Sequence, residues 1–149
     1  MQTILSITTI SVSLLSVCLA SYTFFWTRKR DQKQATLDAY NQLQEQAFDK
    51  LNLYTPAEIR EIAKDSKTQE YKIVSNYIAR IEHFCVGVNQ NIYDRKTVYA
   101  LAHGYLDGPV LHRRIVPIIE KKHENVTEDY YENIHAVLDW MKKEEQRNK

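Results

Sequence analysis

The sequence predicts an all-α protein: one N-terminal transmembrane helix followed by a compact cytoplasmic bundle of about five helices. Three observations carry that expectation. No charged residue stands between Ile4 and Trp26, and Arg28-Lys29-Arg30 follows almost at once. Apolar residues elsewhere recur at three- and four-residue steps, and no stretch alternates as a strand does. The 149 residues include only three glycines and three prolines, most of them at joints between the periodic stretches.

The apolar run is about 23 residues long and would span roughly 35 Å as a helix, enough for a hydrocarbon core of about 30 Å. A cleaved signal peptide fits less well. Met1-Gln2-Thr3 has no basic side chain, and a cut after Ala20 would leave Ser21 to Trp26 behind, still apolar. Tyr22 and Trp26 suit the interfacial aromatic belt, and Arg28, Lys29 and Arg30 place the following chain in the cytoplasm with the N-terminus outside. Residues 1–27 are therefore read as a single-pass anchor in the cell membrane, 28–143 as a helical domain and 144–149 as a charged, frayed tail.

Within the anchor, Ser6, Thr9, Ser13, Ser16, Ala20, Thr23 and Thr27 repeat at alternating steps of three and four. Small residues at that spacing let helices approach closely in lipid, so the bilayer and a second copy of the chain are expected partners. A hydroxyl that bonds back to its own helix is the bland alternative.

The elements after the anchor follow in order. Without Gly or Pro before Thr55, the first helix can run on through the basic cluster, its face set by Leu37, Tyr40, Leu43, Ala47, Leu51 and Tyr54. Thr55-Pro56-Ala57-Glu58 is a helix start with a capping box, and the short helix it opens ends near Ser66. A longer helix from about Gln69 buries Tyr71, Val74, Ile78, Ile81, Cys85 and Val88. Asp94 can cap a fourth stretch through Ala102, with Gly104 as its stop. Asp107-Gly108-Pro109 restarts the chain with Leu111, Ile115, Ile118 and Ile119 on one stripe and a kink at Pro117. Thr127 opens the last helix, with Tyr130, Ile134, Val137, Leu138 and Met141 inward.

Tyr77-Ile78, Ile81-Glu82, Phe84-Cys85-Val86-Gly87-Val88 and Ile92-Tyr93-Asp94 together resemble the most recognisable block of bacterial domain-of-unknown-function family 4760. Tyr130-Tyr131-Glu132-Asn133 and Trp140 match the Tyr- and Trp-containing helix with which such domains end. The resemblance covers roughly Arg30 to Lys143 and implies an N-terminal membrane helix, a basic junction and a compact helical domain; it implies no activity. Asn91 departs from the small residue or glycine usual before the Ile-Tyr-Asp element. Read physically, Gly87 in a strong helix implies the close approach of another backbone, and Asp94 fixes a corner.

No pattern in the chain signals catalysis. There is no Gly-rich phosphate loop, no Cys-x-x-Cys pair and no nucleophile elbow. Glu120/His123 and Glu132/His135 have E-x-x-H spacing, half of a di-metal bundle pattern, but helical geometry turns both carboxylates roughly 150° from the apolar stripes. His83 lies opposite its apolar face. Glu82 borders that face and is expected to pair with Arg113 or Arg114, while Cys85 acts as a small hydrophobe. A net charge of +1 with interleaved basic and acidic residues gives no reason to expect nucleic-acid binding. The composition favours a membrane-anchored interaction or regulatory module with no catalytic, metal or cofactor site. A membrane-perturbing effector, such as a toxin or phage-defence component, and a metal-dependent or hydrolytic enzyme are the alternatives.

Overall fold

A computed structural model describes the backbone of residues 2–103, 105–106, 109–123 and 131–147, and the side chains of 12–103, 105–106, 111–121 and 131–147. Among them all regular structure is helical, in six helices without a strand. Helix α1, Gln2–Leu43, is continuous through the basic cluster, as the lack of Gly and Pro anticipates. It then passes through one π-helical turn, Gln44–Phe48, where the Asp49 N–H reaches back to the Gln44 carbonyl, and closes with a last α turn, Asp49–Leu51.

That π turn is not legible in the apolar spacing. It adds one residue to the repeat, so that Ala47 and Phe48 are both buried and Leu51 still faces the core. The expected face is also offset at its start. Leu37 is exposed, and Thr36 occupies the buried position beside it with 0% exposure. Threonine is tolerated there because both sides of its hydroxyl are used: it donates to the Gln32 carbonyl at 2.7 Å and accepts from the Asp94 N–H at 2.8 Å.

Helix α2, Pro56–Ala63, opens on the anticipated capping box. Thr55 Oγ1 accepts from the Glu58 N–H at 3.3 Å, and the Glu58 carboxylate accepts from the Thr55 N–H at 2.6 Å. The helix stops three residues short of Ser66, because Lys64 turns tightly onto Glu61 and Asp65 then takes the Lys67 N–H in a side-chain turn. Thr68 caps helix α3, Gln69–Asn89, whose expected stripe is buried throughout. Helix α4, Arg95–Ala102, starts at Asp94 as anticipated. Helix α5, Pro109–His123, buries Leu111, Ile115, Ile118 and Ile119 and continues through Pro117. Helix α6, Glu132–Arg147, buries Ile134, Val137 and Met141. It runs past Lys142, where fraying is expected, with Arg147 3.5 Å from Glu144 one turn back. Gly104, Asp107, Gly108, Thr127 and Tyr130 lie outside the described residues.

Packing forms two main pairs, α3 against α6 and α2 against α5, with the second half of α1 laid across α3 and α4. Tyr40 ties α1 to both: its ring is edge-on to Phe84, and its hydroxyl donates to the Leu101 carbonyl at 3.0 Å. Phe48 stacks beside Tyr105 at 4.4 Å and has 1% exposure. Truncating a ring so buried removes its transfer energy and leaves a cavity. Phe48→Ala is expected to lower unfolding stability by about 3–5 kcal/mol, whereas Leu53→Ala, at an exposed corner, changes it by less than about 0.5 kcal/mol; chemical denaturation of the two variants checks the contrast.

Candidate functional site

Three features of the fold offer themselves as sites: the exposed apolar part of α1 with its basic junction, the corner after α3, and a groove between α1 and α3.

Val12, Leu14, Leu15, Val17, Leu19, Tyr22, Phe24, Phe25 and Trp26 are each between 58% and 69% exposed, on every face of α1. Arg28, Lys29 and Arg30 follow, all exposed, with the Arg30 guanidinium over the Trp26 ring at 5.9 Å and within 3.6 Å of Asp31. Among the described residues no helix is long and apolar enough to cross a membrane. The membrane span expected from the sequence is thus not borne out among them. Their apolar stretch, Val12 to Trp26, rises about 22 Å, short of a hydrocarbon core of about 30 Å. The side chains of Ser6 and Thr9 lie outside the described residues. Ser16 and Thr23 bond back to their own helix, donating to the Val12 and Leu19 carbonyls at 2.9 and 2.8 Å. Their hydroxyls are therefore satisfied without a partner helix, and any contribution of Ser13, Ser16, Ala20 and Thr23 to association rests on small size.

The corner after α3 is where the motif residues converge. Asn91 has φ 56°, the left-handed position that glycine favours and asparagine tolerates, which accounts for its place in the block. The Ile92 N–H bonds the Gly87 carbonyl at 2.9 Å and the Asn91 N–H bonds the Val88 carbonyl at 3.2 Å, a Schellman ending. Tyr93 then folds back over the helix and stacks on Phe84 at 5.1 Å. A Cβ on Gly87 would stand 2.3 Å from the Tyr93 ring, so the close approach expected at this glycine is made by a side chain and not by a second backbone. Val88 and Cys85 are core, and Val86 is half-buried. Burial, with the Glu82 carboxylate nearby, pushes the Cys85 thiol well above its ordinary range.

Glu82 has a different partner from the expected one. Its carboxylate accepts from the Asn133 N–H at 3.1 Å, the Asn133 side-chain amide at 2.8 Å and the Ile134 N–H at 2.9 Å. It therefore caps α6 from outside, taking the second and third N–H groups, which a helix cannot satisfy internally. Tyr131, at the capping position itself, is buried and carries no short side-chain oxygen of the kind that caps a helix start. The expected ion pair does not form. Arg114 donates instead to the Tyr54 carbonyl at 2.9 Å, and Arg113 is exposed on α5, which packs against α2. Asn89 completes the joint by donating to the Asn133 side-chain oxygen at 2.9 Å.

Asp94 accepts from the Thr97 N–H at 3.0 Å and its hydroxyl at 2.6 Å. Burial raises its pKa, but the Thr97 hydrogen bonds and the nearby Lys33 and Lys29 outweigh burial and hold it below its ordinary value.

The groove holds about 420 Å³ and is lined by Gln42, Gln46, Asn76, Arg80 and His83 together with Ala39 and Ala79. Arg80 donates to the Gln46 side-chain oxygen, which the π turn brings to this face. His83 is exposed at its edge, on the face the sequence assigns it. Glu120, Glu132 and His135 are exposed as well, and His123 lies outside the described side chains. Among the described residues no group of three His, Cys, Asp or Glu could hold a metal ion.

The family model for the domain of unknown function DUF4760 matches residues 10–140, and the chain belongs to that family. The match begins about 20 residues before Arg30, so the family's domain includes much of the apolar segment as well as the bundle. No curated protein and no solved structure matches the chain.

Two expectations follow from the joint. Glu82→Gln sets an amide against the helix N–H groups and is expected to cost about 1–3 kcal/mol of unfolding stability in a urea titration; a change below about 0.5 kcal/mol would mean that water caps α6 equally well. For Asp94, a folded pKa held below the unfolded one means stability that is present above about pH 4 and lost as pH falls through the folded value. Wild-type protein should therefore lose stability relative to Asp94→Asn between roughly pH 5 and pH 3 in acid unfolding curves.

Proposed function

We propose that the protein is a single-pass membrane-anchored helical module, its bundle on the cytoplasmic face, which self-associates through the anchor and recruits or regulates a protein partner. The observation that carries this reading is the exposure of Val12 to Trp26 on all sides of one helix. A helix apolar all round is stable only inside a protein core or a bilayer, and this segment has no core to enter. Extended by the Ile4–Ser11 sequence it reaches roughly 35 Å, a sufficient span. Trp26 and the three cations after it supply an interfacial anchor and a cytoplasmic orientation. The intrahelical hydroxyl bonds of Ser16 and Thr23 also support the reading, because they remove the cost of polar groups in lipid.

In the bundle, the motif residues are absorbed by packing and capping, which favours a binding scaffold over catalysis. Alkaline carbonate extraction of membranes tests the anchor. The protein should stay with the lipid pellet, and removal of residues 2–27 should release it; extraction of the full chain into the supernatant would contradict the anchor. Self-association is tested by crosslinking a Thr9→Leu, Ser13→Leu, Ser16→Leu variant, which should form less oligomer. Unchanged crosslinking would rule out the small-residue seam.

A further inference from the structure

We infer that the corner Gln90 to Asp94 is a second membrane contact, with Ile92 seated in the headgroup layer and the lysines at this end of the bundle facing anionic lipid headgroups. The inference rests on the anchor reading above and adds to it a surface on the bundle.

Ile92 is an exposed aliphatic residue, 55% accessible, at a position that normally packs. In a Schellman ending, the residue after the left-handed one usually covers the third residue from the helix end. Here that residue is Gly87, and the Tyr93 ring already lies against it. Ile92 is left outside the fold.

Its height above the anchor places it at the lipid surface. Helix α3 runs antiparallel to α1: Arg80 meets Gln46, Phe84 meets Tyr40, and the Asn91 carbonyl accepts from the Gln32 side chain at 2.8 Å. The corner is therefore the end of α3 nearest the apolar segment. Gln32 is six residues past Trp26, a rise of about 9 Å, comparable with a headgroup layer of roughly 5–8 Å on each side of the hydrocarbon. Lys29 and Lys33 of α1 lie near Asp94 of this corner, Lys96 follows two residues after Asp94 in α4, and all three are exposed. The acidic groups at this end are outnumbered: Lys29 and Lys33 both act on Asp94, and Arg30 lies 3.6 Å from Asp31, while Arg95 is folded over the Trp140 ring at 5.4 Å. An exposed aliphatic residue at a lysine-bearing end of the bundle matches an anionic bilayer surface. Leu53, 76% exposed at the far end of α1, is a built-in control.

The test reconstitutes the full chain in vesicles of phosphatidylcholine and phosphatidylserine and reads quenching of a thiol-linked fluorophore by nitroxide-bearing lipids. Three labels are compared: the native Cys18, Ile92→Cys and Leu53→Cys, the latter two in a Cys18→Ser background with Cys85 buried. Quenching at 18 and 92 but not at 53 is expected, with quenching at 92 reduced when phosphatidylcholine replaces all the phosphatidylserine. Quenching at 18 with position 92 as unquenched as 53 would overturn this inference and leave the anchor standing. No quenching at 18 would overturn the anchor, and this inference with it. Equal quenching at 92 in both lipid mixtures would overturn the role given to the lysines.

Discussion

Helix α1 carries both the exposed apolar segment and the residues on which the bundle docks, and it does so without a break. Only five residues separate Trp26 from Gln32, whose side chain holds the Asn91 carbonyl, and one further turn brings Thr36 to the Asp94 N–H. An unbroken helix fixes distance and rotation together. Once Gln32 and Thr36 have taken the corner after α3, the orientation of the bundle about the apolar segment is set. Tyr40 and Phe48 then extend the same face into the core.

The family block is the structural counterpart of that constraint. Gly87 makes room for Tyr93, Asn91 turns the chain, Asp94 starts α4, and Glu82 starts α6 from a distance. One end of α3 thus determines where α1, α4 and α6 begin or dock. In this chain of the DUF4760 family each of these residues has a packing or capping role. Leaving two N–H groups of α6 unsatisfied, or a ring clashing at Gly87, would each cost on the order of a kilocalorie or more. The physical content of the block is a rigid joint at the end of α3.

Much of the fold was legible because its signals are local. Thr55 and Glu58 are three residues apart, Asp94 lies three before Thr97, and the α3 stripe repeats within single turns. What could not be read depends on remote partners. Glu82 and Asn133 stand 51 residues apart, and a border carboxylate looks equally suited to an arginine or to a helix start. Thr36 is polar, so no apolar pattern reveals its burial, which comes from Gln32 and Asp94. The π turn is not legible in the sequence because steps of three and four fit Ala47 and Leu51 with or without it; the Asp49 N–H bond to the Gln44 carbonyl and the burial of Phe48 show the added residue. At the candidate site the exposed apolar run with Tyr22, Trp26 and the basic cluster was legible as a composition. The corner that lies beside them was legible only as a turn.

The rigidity of α1 is the claim on which the placement of the bundle, and with it the second contact, depends. It is tested most directly by a pulsed electron-resonance distance between spin labels at Cys18 and at Leu53→Cys in lipid-reconstituted protein. A rigid helix from Cys18 through the π turn to Leu51, with Leu53 just beyond it, gives a single narrow distribution at roughly 50 Å. A broad or two-peaked distribution at shorter distance would reveal a hinge between the apolar segment and the bundle, and would contradict the fixed placement of one on the other.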